Sequence, residues 1–120
     1  MIDYQTKNHS DSIVVVELSG KLNESTRSNF FQYIKDVLGG NCTRVIVDCS
    51  KLGMLGSAGL AALLMARKHA RKAGRRMYLT HVNSSFAEVL EKTKLNRHLA
   101  IFPSTGSLID KIRTGGLVHT

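Results

Sequence analysis

Apolar positions along the chain fall into two alternating rhythms. Ile13 to Leu18 reads IVVVEL, a β-branched run closed by Ser19-Gly20, the pattern of a largely buried strand. Arg44 to Cys49 (RVIVDC) predicts a second short buried strand, Met77 to Val82 a third around Tyr78 and Thr80, and His98 to Phe102 a last one stopped by Pro103. A more polar first strand fits residues 2–8. The intervening segments change to helical spacing. From Glu24, residues Phe30, Ile34, Val37 and Leu38 form one apolar face, with Asn23 or Ser25 as the expected cap and Gly39-Gly40 as the stop. Leu60, Leu63 and Leu64 define a second helix, reached from the RVIVDC strand by a loop through Gly53 and Gly56 and ending at Gly74. Ser84 or Ser85 is placed to cap a third helix with Phe86, Val89 and Leu90 on one face. A fourth begins near Thr105 and presents Leu108, Ile109 and Ile112 before Gly115-Gly116.

The resulting order, β, β, α, β, α, β, α, β, α, predicts an α/β fold with a mostly parallel or mixed sheet of about five strands covered by about four helices. A single domain over 1–120 is expected, with its core over about 2–113 and a frayed tail at 114–120. In open sheets of this kind, sites gather where strand C-termini meet helix N-termini, which directs attention to the segment from Asp48 to Leu60.

Composition adds three exclusions. The longest uncharged stretch, Leu52 to Ala66, is 15 residues broken by glycines, too short for a membrane span, and the polar N-terminus does not read as a secretory signal, so a cytoplasmic protein is expected. Cys42 and Cys49 lack the spacing of a redox or zinc pair and read as packing residues. His9, His69, His81, His98 and His119 are scattered, and neither a GxSxG nor a GxxxxGK[ST] sequence occurs, so no metal, no cofactor and no catalytic residue is expected. The net charge of +8 is unevenly placed: seven of the 17 basic residues lie between Asp48 and Glu88, a window with no acid. Lys51, Arg67, Lys68, Arg71, Lys72, Arg75 and Arg76 make up that set. With no aromatic interleaved before Tyr78, the cluster reads first as a solvated helix end, second as a surface that steers a partner, and last as a nucleic-acid contact.

The candidate chemistry sits at Gly56-Ser57-Ala58-Gly59-Leu60, a small hydroxyl residue at or just before a helix start. Ser57 reads either as an N-cap or as a phosphoacceptor. A phosphate there would meet the positive end of the helix dipole, and its charge would disrupt a docking surface.

Val45-Ile46-Val47-Asp48, a seven-residue loop and then Gly56-Ser57-Ala58-Gly59-Leu60 resemble the strand, loop and "DSSGL" helix start of STAS-domain anti-sigma factor antagonists. Gly20-Lys21-Leu22-Asn23 resembles the "GxLD" turn of the same family. The resemblance runs from about residue 2 to residue 113. It implies a non-enzymatic partner switch in bacterial transcription control. The unphosphorylated antagonist binds an anti-sigma factor that is also a GHKL-type serine kinase, releasing a sigma factor; phosphorylation ends binding, and a PP2C-type phosphatase resets the switch. The family's phosphorylated serine falls on Ser57, its neighbouring aspartates on Asn23 and Gly56, and its second serine on Ala58. Asn23, Gly56, Ser57, Ala58, Gly59 and Leu60 are thereby the implied partner-binding residues. STAS domains also serve as accessory subunits of phospholipid-transport ABC complexes, an alternative that needs no phosphorylation cycle, and as stressosome-like scaffolds, which would form large assemblies in solution. A weak homodimer through the sheet edges is a further expectation.

Overall fold

The computed structural model describes residues 1–9 and 12–115. Five strands, β1 (Ile2–His9), β2 (Ile13–Leu22), β3 (Arg44–Leu55), β4 (Arg76–Thr80) and β5 (Ala100–Phe102), form one sheet in the order β1-β2-β3-β4-β5. β1 pairs antiparallel with β2, and every other pairing is parallel. Four α-helices, α1 (Arg27–Leu38), α2 (Ser57–Lys72), α3 (Ser84–Lys92) and α4 (Thr105–Thr114), alternate with the strands as the sequence predicts.

The near-continuous apolar runs arise because the sheet is covered on both faces. On one face Val16, Leu18, Val45, Val47, Met77 and Leu79 pack with Phe30, Ile34 and Leu38 of α1, Leu60 and Leu63 of α2 and Leu90 of α3. On the other, the alternate residues Ile13, Val15, Ile46 and Tyr78 pack with Leu108 and Ile109 of α4. Three helices on one face follow from parallel strands laid down in consecutive order, since each crossover turns the same way. Phe30 and Ile34 are wholly buried, and each such side chain contributes about 1.5–3 kcal/mol, which fixes α1 to the sheet. Tyr4 of β1 stacks on Tyr33 of α1, ring centroids 4.0 Å apart, and ties the edge strand to the same helix.

Several boundaries differ from the sequence reading. β3 does not stop at Cys49: it continues to Leu55, where Lys51, Leu52, Met54 and Leu55 pair with Ser19, Gly20, Lys21 and Leu22 of a correspondingly longer β2. The expected loop through Gly53 is therefore strand, with register shifts at Glu17/Ser19 and Gly20/Lys21 absorbing its irregularity. α1 starts at Arg27 rather than Glu24, after a turn in which the Asn23 side chain accepts from the Ser25 amide. β4 covers Arg76–Thr80, and β5 is shortened at its start because Leu95–Arg97 form a 3₁₀ turn. Thr114, placed in the tail by the sequence, ends α4, with Gly115 at φ 73° behind it; 116–120 lie outside the described residues.

The cap of α3 is Asn83, whose side chain accepts from the Phe86 amide at 2.9 Å; Ser84 and Ser85 are already inside the helix. Asn83→Ala is expected to cost about 1 kcal/mol, read as a fall in the denaturant midpoint with an unchanged slope. Both cysteines are free and buried, and burial, with the Asp48 charge second, pushes the Cys49 thiol up to about 12.

Candidate functional site

β2 and β3 run beyond the last pairing of β3 with β4, at Asp48 and Thr80, and together form a two-stranded lip. The chain leaves this lip at Leu55 and turns directly into α2. The Leu22 carbonyl, the last of β2, governs the turn: it accepts from the Gly56 amide at 2.9 Å. The same oxygen lies 2.3 Å from where a Cβ on Gly59 would stand, so α2 approaches β2 more closely than any other residue type permits.

Gly56, not Ser57, is the N-cap of α2: it has φ −90° and ψ 175°, and no side chain closes the helix end. Ser57 is the first helical residue. It is exposed, and its hydroxyl forms no hydrogen bond with a described residue. The capping role expected as one reading of Ser57 is thus filled by backbone alone, because the hydroxyl one residue inside the helix cannot reach back over the free amides.

The structure brings the two motifs together. A Cβ built on Gly56 would lie 3.7 Å from the Asn23 Cβ, so the two positions that resemble the family's aspartates are neighbours across the mouth of the lip. Asn23 is held by a local network: its side-chain oxygen accepts from the Ser25 amide at 3.0 Å and the Ser25 hydroxyl at 2.8 Å. Its own amide donates to the Thr26 hydroxyl at 2.9 Å, and that hydroxyl donates to the Lys21 carbonyl at 2.8 Å. Gly59 and Leu60 are buried and shape the turn rather than face a partner, whereas Ala58 is half-buried and lines a groove.

That groove lies between α1 and α2 and was not anticipated. Arg27, Ser28 and Phe31 of α1 line one side; Ala58, Ala61, Ala62 and Met65 of α2 line the other. Met65 is 53% exposed, an unusual state for so large an apolar side chain. The available signal was the alanine-rich side of α2 opposite its leucine stripe, whose small side chains leave the groove unfilled.

Gly56→Asp restores a carboxylate at the cap with ordinary van der Waals clearance, since the nearest atom to the new Cβ is 3.7 Å away. It is expected to raise stability by about 0.5–1 kcal/mol through capping and the helix dipole, seen as a rise of a few degrees in melting temperature. Among the described residues, no three His, Cys, Asp or Glu side chains cluster as metal ligands. No helix among them is long and apolar enough to cross a membrane.

This fold, with its glycine-framed serine at the start of α2, defines the class of protein. The STAS domain family matches residues 4–108, and the chain belongs to that family. An anti-sigma factor antagonist from Mycobacterium paratuberculosis has a similar structure, with a TM-score of 0.82 and 21% identity over 94% of this chain and 95% of that one. The anti-sigma factor antagonist SpoIIAA in its unphosphorylated form aligns with a TM-score of 0.76 and 19% identity, covering 98% of this chain and 100% of the other. The phosphorylated form of SpoIIAA, the Bacillus cell fate determinant, gives a TM-score of 0.69 and 18% identity over 92% and 99% of the two chains. No curated protein matches the chain.

Proposed function

We propose that this STAS protein is an anti-sigma factor antagonist that acts as a phosphorylation-controlled partner switch, with Ser57 as the phosphoacceptor. The observation that carries the reading is the state of Ser57: exposed, uncommitted and already on the positive end of a 16-residue helix. A hydroxyl that caps nothing can be modified without breaking the fold, and the helix dipole favours the added charge. The solved structures of SpoIIAA in unphosphorylated and phosphorylated forms support the same reading by their likeness of fold.

The docking surface consists of the mouth of the lip, at Asn23, Gly56 and Ser57, together with the α1–α2 groove that begins at Ala58. Leu60 and Gly59 set its shape from beneath. The partner is an anti-sigma factor of the GHKL serine kinase type, which brings its own nucleotide and catalytic base, and a PP2C-type phosphatase reverses the modification. The STAS chain itself has a regulatory role and performs no catalysis.

The test is phosphopeptide mapping of the chain isolated from its own cells, with and without phosphatase treatment. One phosphate on Ser57 that phosphatase removes is the expected result. A chain unmodified at Ser57 under every growth condition, bound constitutively to an ABC ATPase, would overturn the reading in favour of the accessory-subunit alternative.

A further inference from the structure

At the pole of the sheet opposite Ser57, the end of α2 and the first residues of β4 and β5 border a half-open cavity of about 270 Å³. Its lining among the described residues is Arg67, Arg71, Gly74, Arg75, Arg76, Met77 and Ala100, four guanidinium-bearing residues and no acid. Arg71 stands 14 residues after Ser57, which places the cavity about 20 Å along α2 from the phosphoacceptor. The two sites are therefore separate.

Three features distinguish this cluster from an ordinary solvated helix end. It is concave, so the four arginines border a common space. Arg75 is anchored: its Nη1 donates to the Gly40 carbonyl at 2.7 Å, and its amide donates to the Ala70 carbonyl at 2.8 Å. Arg67 and Arg71 share one helix face at a spacing of four, about 6 Å of rise, and neither forms an ion pair with a described carboxylate. Burial first, and the Arg71 charge second, disfavour the charged form of Arg67, so the pocket concentrates positive charge at some cost to itself. The turn at Gly74, with φ 74° and nothing within 4 Å of a built Cβ, leaves the wall open for entry.

We propose that this arginine-lined cavity is a second ligand site, which binds a compact polyanion carrying two adjacent phosphates. Guanidinium groups match phosphate oxygens in paired hydrogen bonds. A phosphate carries roughly two charges, so one phosphate leaves Arg67, Arg71 and Arg75 under-neutralised and two adjacent phosphates balance them. The small concave shape suits a compact soluble ligand better than a duplex or a flat bilayer.

Titration calorimetry of the full chain with inorganic pyrophosphate at physiological ionic strength tests this. Saturable binding of one pyrophosphate per chain is expected. The R67A/R71A variant should bind about tenfold or more weakly, as the loss of charge-assisted hydrogen bonds requires. Arg71→Glu, a change at an exposed position that leaves the core intact, should abolish binding. A K35A/K92A variant, which removes equal charge elsewhere, should bind within about twofold of the parent, because screening confines each charge to its neighbourhood. Absence of saturable binding by the parent chain overturns the proposal, as does an equal loss in K35A/K92A. So does retention on single-stranded oligonucleotides or anionic vesicles without any pyrophosphate response.

Discussion

Ser57→Asp is expected to weaken binding of the anti-sigma kinase about a hundredfold or more, while Ser57→Ala binds as the parent does and no longer switches. An aspartate at this exposed first position of α2 places a charge where the partner must exclude water, and an unpaired charge buried at an interface costs about 2–5 kcal/mol. The fold itself gains or loses little. No hydrogen bond of the Ser57 hydroxyl is broken, and a carboxylate in the first turn of a helix adds a few tenths of a kcal/mol. Affinity and stability therefore move in opposite directions, a combination that misfolding cannot imitate. Surface plasmon resonance beside thermal melts of the three proteins reads both quantities. Equal affinities for parent and Ser57→Asp would remove the switch from this position.

Gly59→Ala carries the largest effect on the fold. The new methyl would stand 2.3 Å from the Leu22 carbonyl oxygen and 2.9 Å from its carbon, and backbone atoms cannot yield as the tip of a side chain can. Forcing β2 and α2 apart costs about 3 kcal/mol, of which helix propensity returns about 1, so the net loss is about 2 kcal/mol. That corresponds to a melting temperature lower by about 8 °C for a chain of this size. Gly106→Ala is the internal comparison: it lies in the first turn of α4 with nothing within 4 Å, and should leave stability unchanged or slightly higher. If the two variants melt alike, the close approach at Leu22 is not what requires glycine. Because the displaced carbonyl also accepts from Gly56, Gly59→Ala should weaken partner binding without touching the partner.

The sequence displayed the architecture well because burial on both sheet faces writes itself as apolar runs. IVVVEL and RVIVDC could hardly be anything but inner strands, and Phe30, Ile34 and Leu38 repeat at the period of a helix. It displayed the lip poorly. Ser50, Lys51 and Gly53 have the composition of a loop, and their strand conformation depends on hydrogen bonds to Ser19–Leu22, a long-range pairing without local signature. Alternation at Leu52, 4% exposed between two exposed neighbours, was the one available hint.

Helix starts were the other weak point. Asn83 outcompetes Ser84 and Ser85 as the cap of α3 because the chain turns one residue earlier. At Ser57 the same one-residue shift changes the place of the side chain, from a group that would hold the helix end to one that caps nothing. The proximity of Asn23 to Gly56 was legible only through resemblance, since 33 positions separate them in sequence.

β3 is flanked by neighbours on both sides as far as Asp48, and beyond it has β2 alone. Seven residues, Cys49 to Leu55, span the singly flanked portion, a tongue about 20 Å long and about 10 Å wide at ordinary strand spacings. Leu22 and Leu52 still anchor this portion in the core, while Lys51, Gly53 and Met54 on it are exposed. Under the proposed function, access to Ser57 is therefore a matter of reach: the exposed hydroxyl follows directly on the end of this extension, so neither the chain nor the proposed kinase has to unfold for the two to meet.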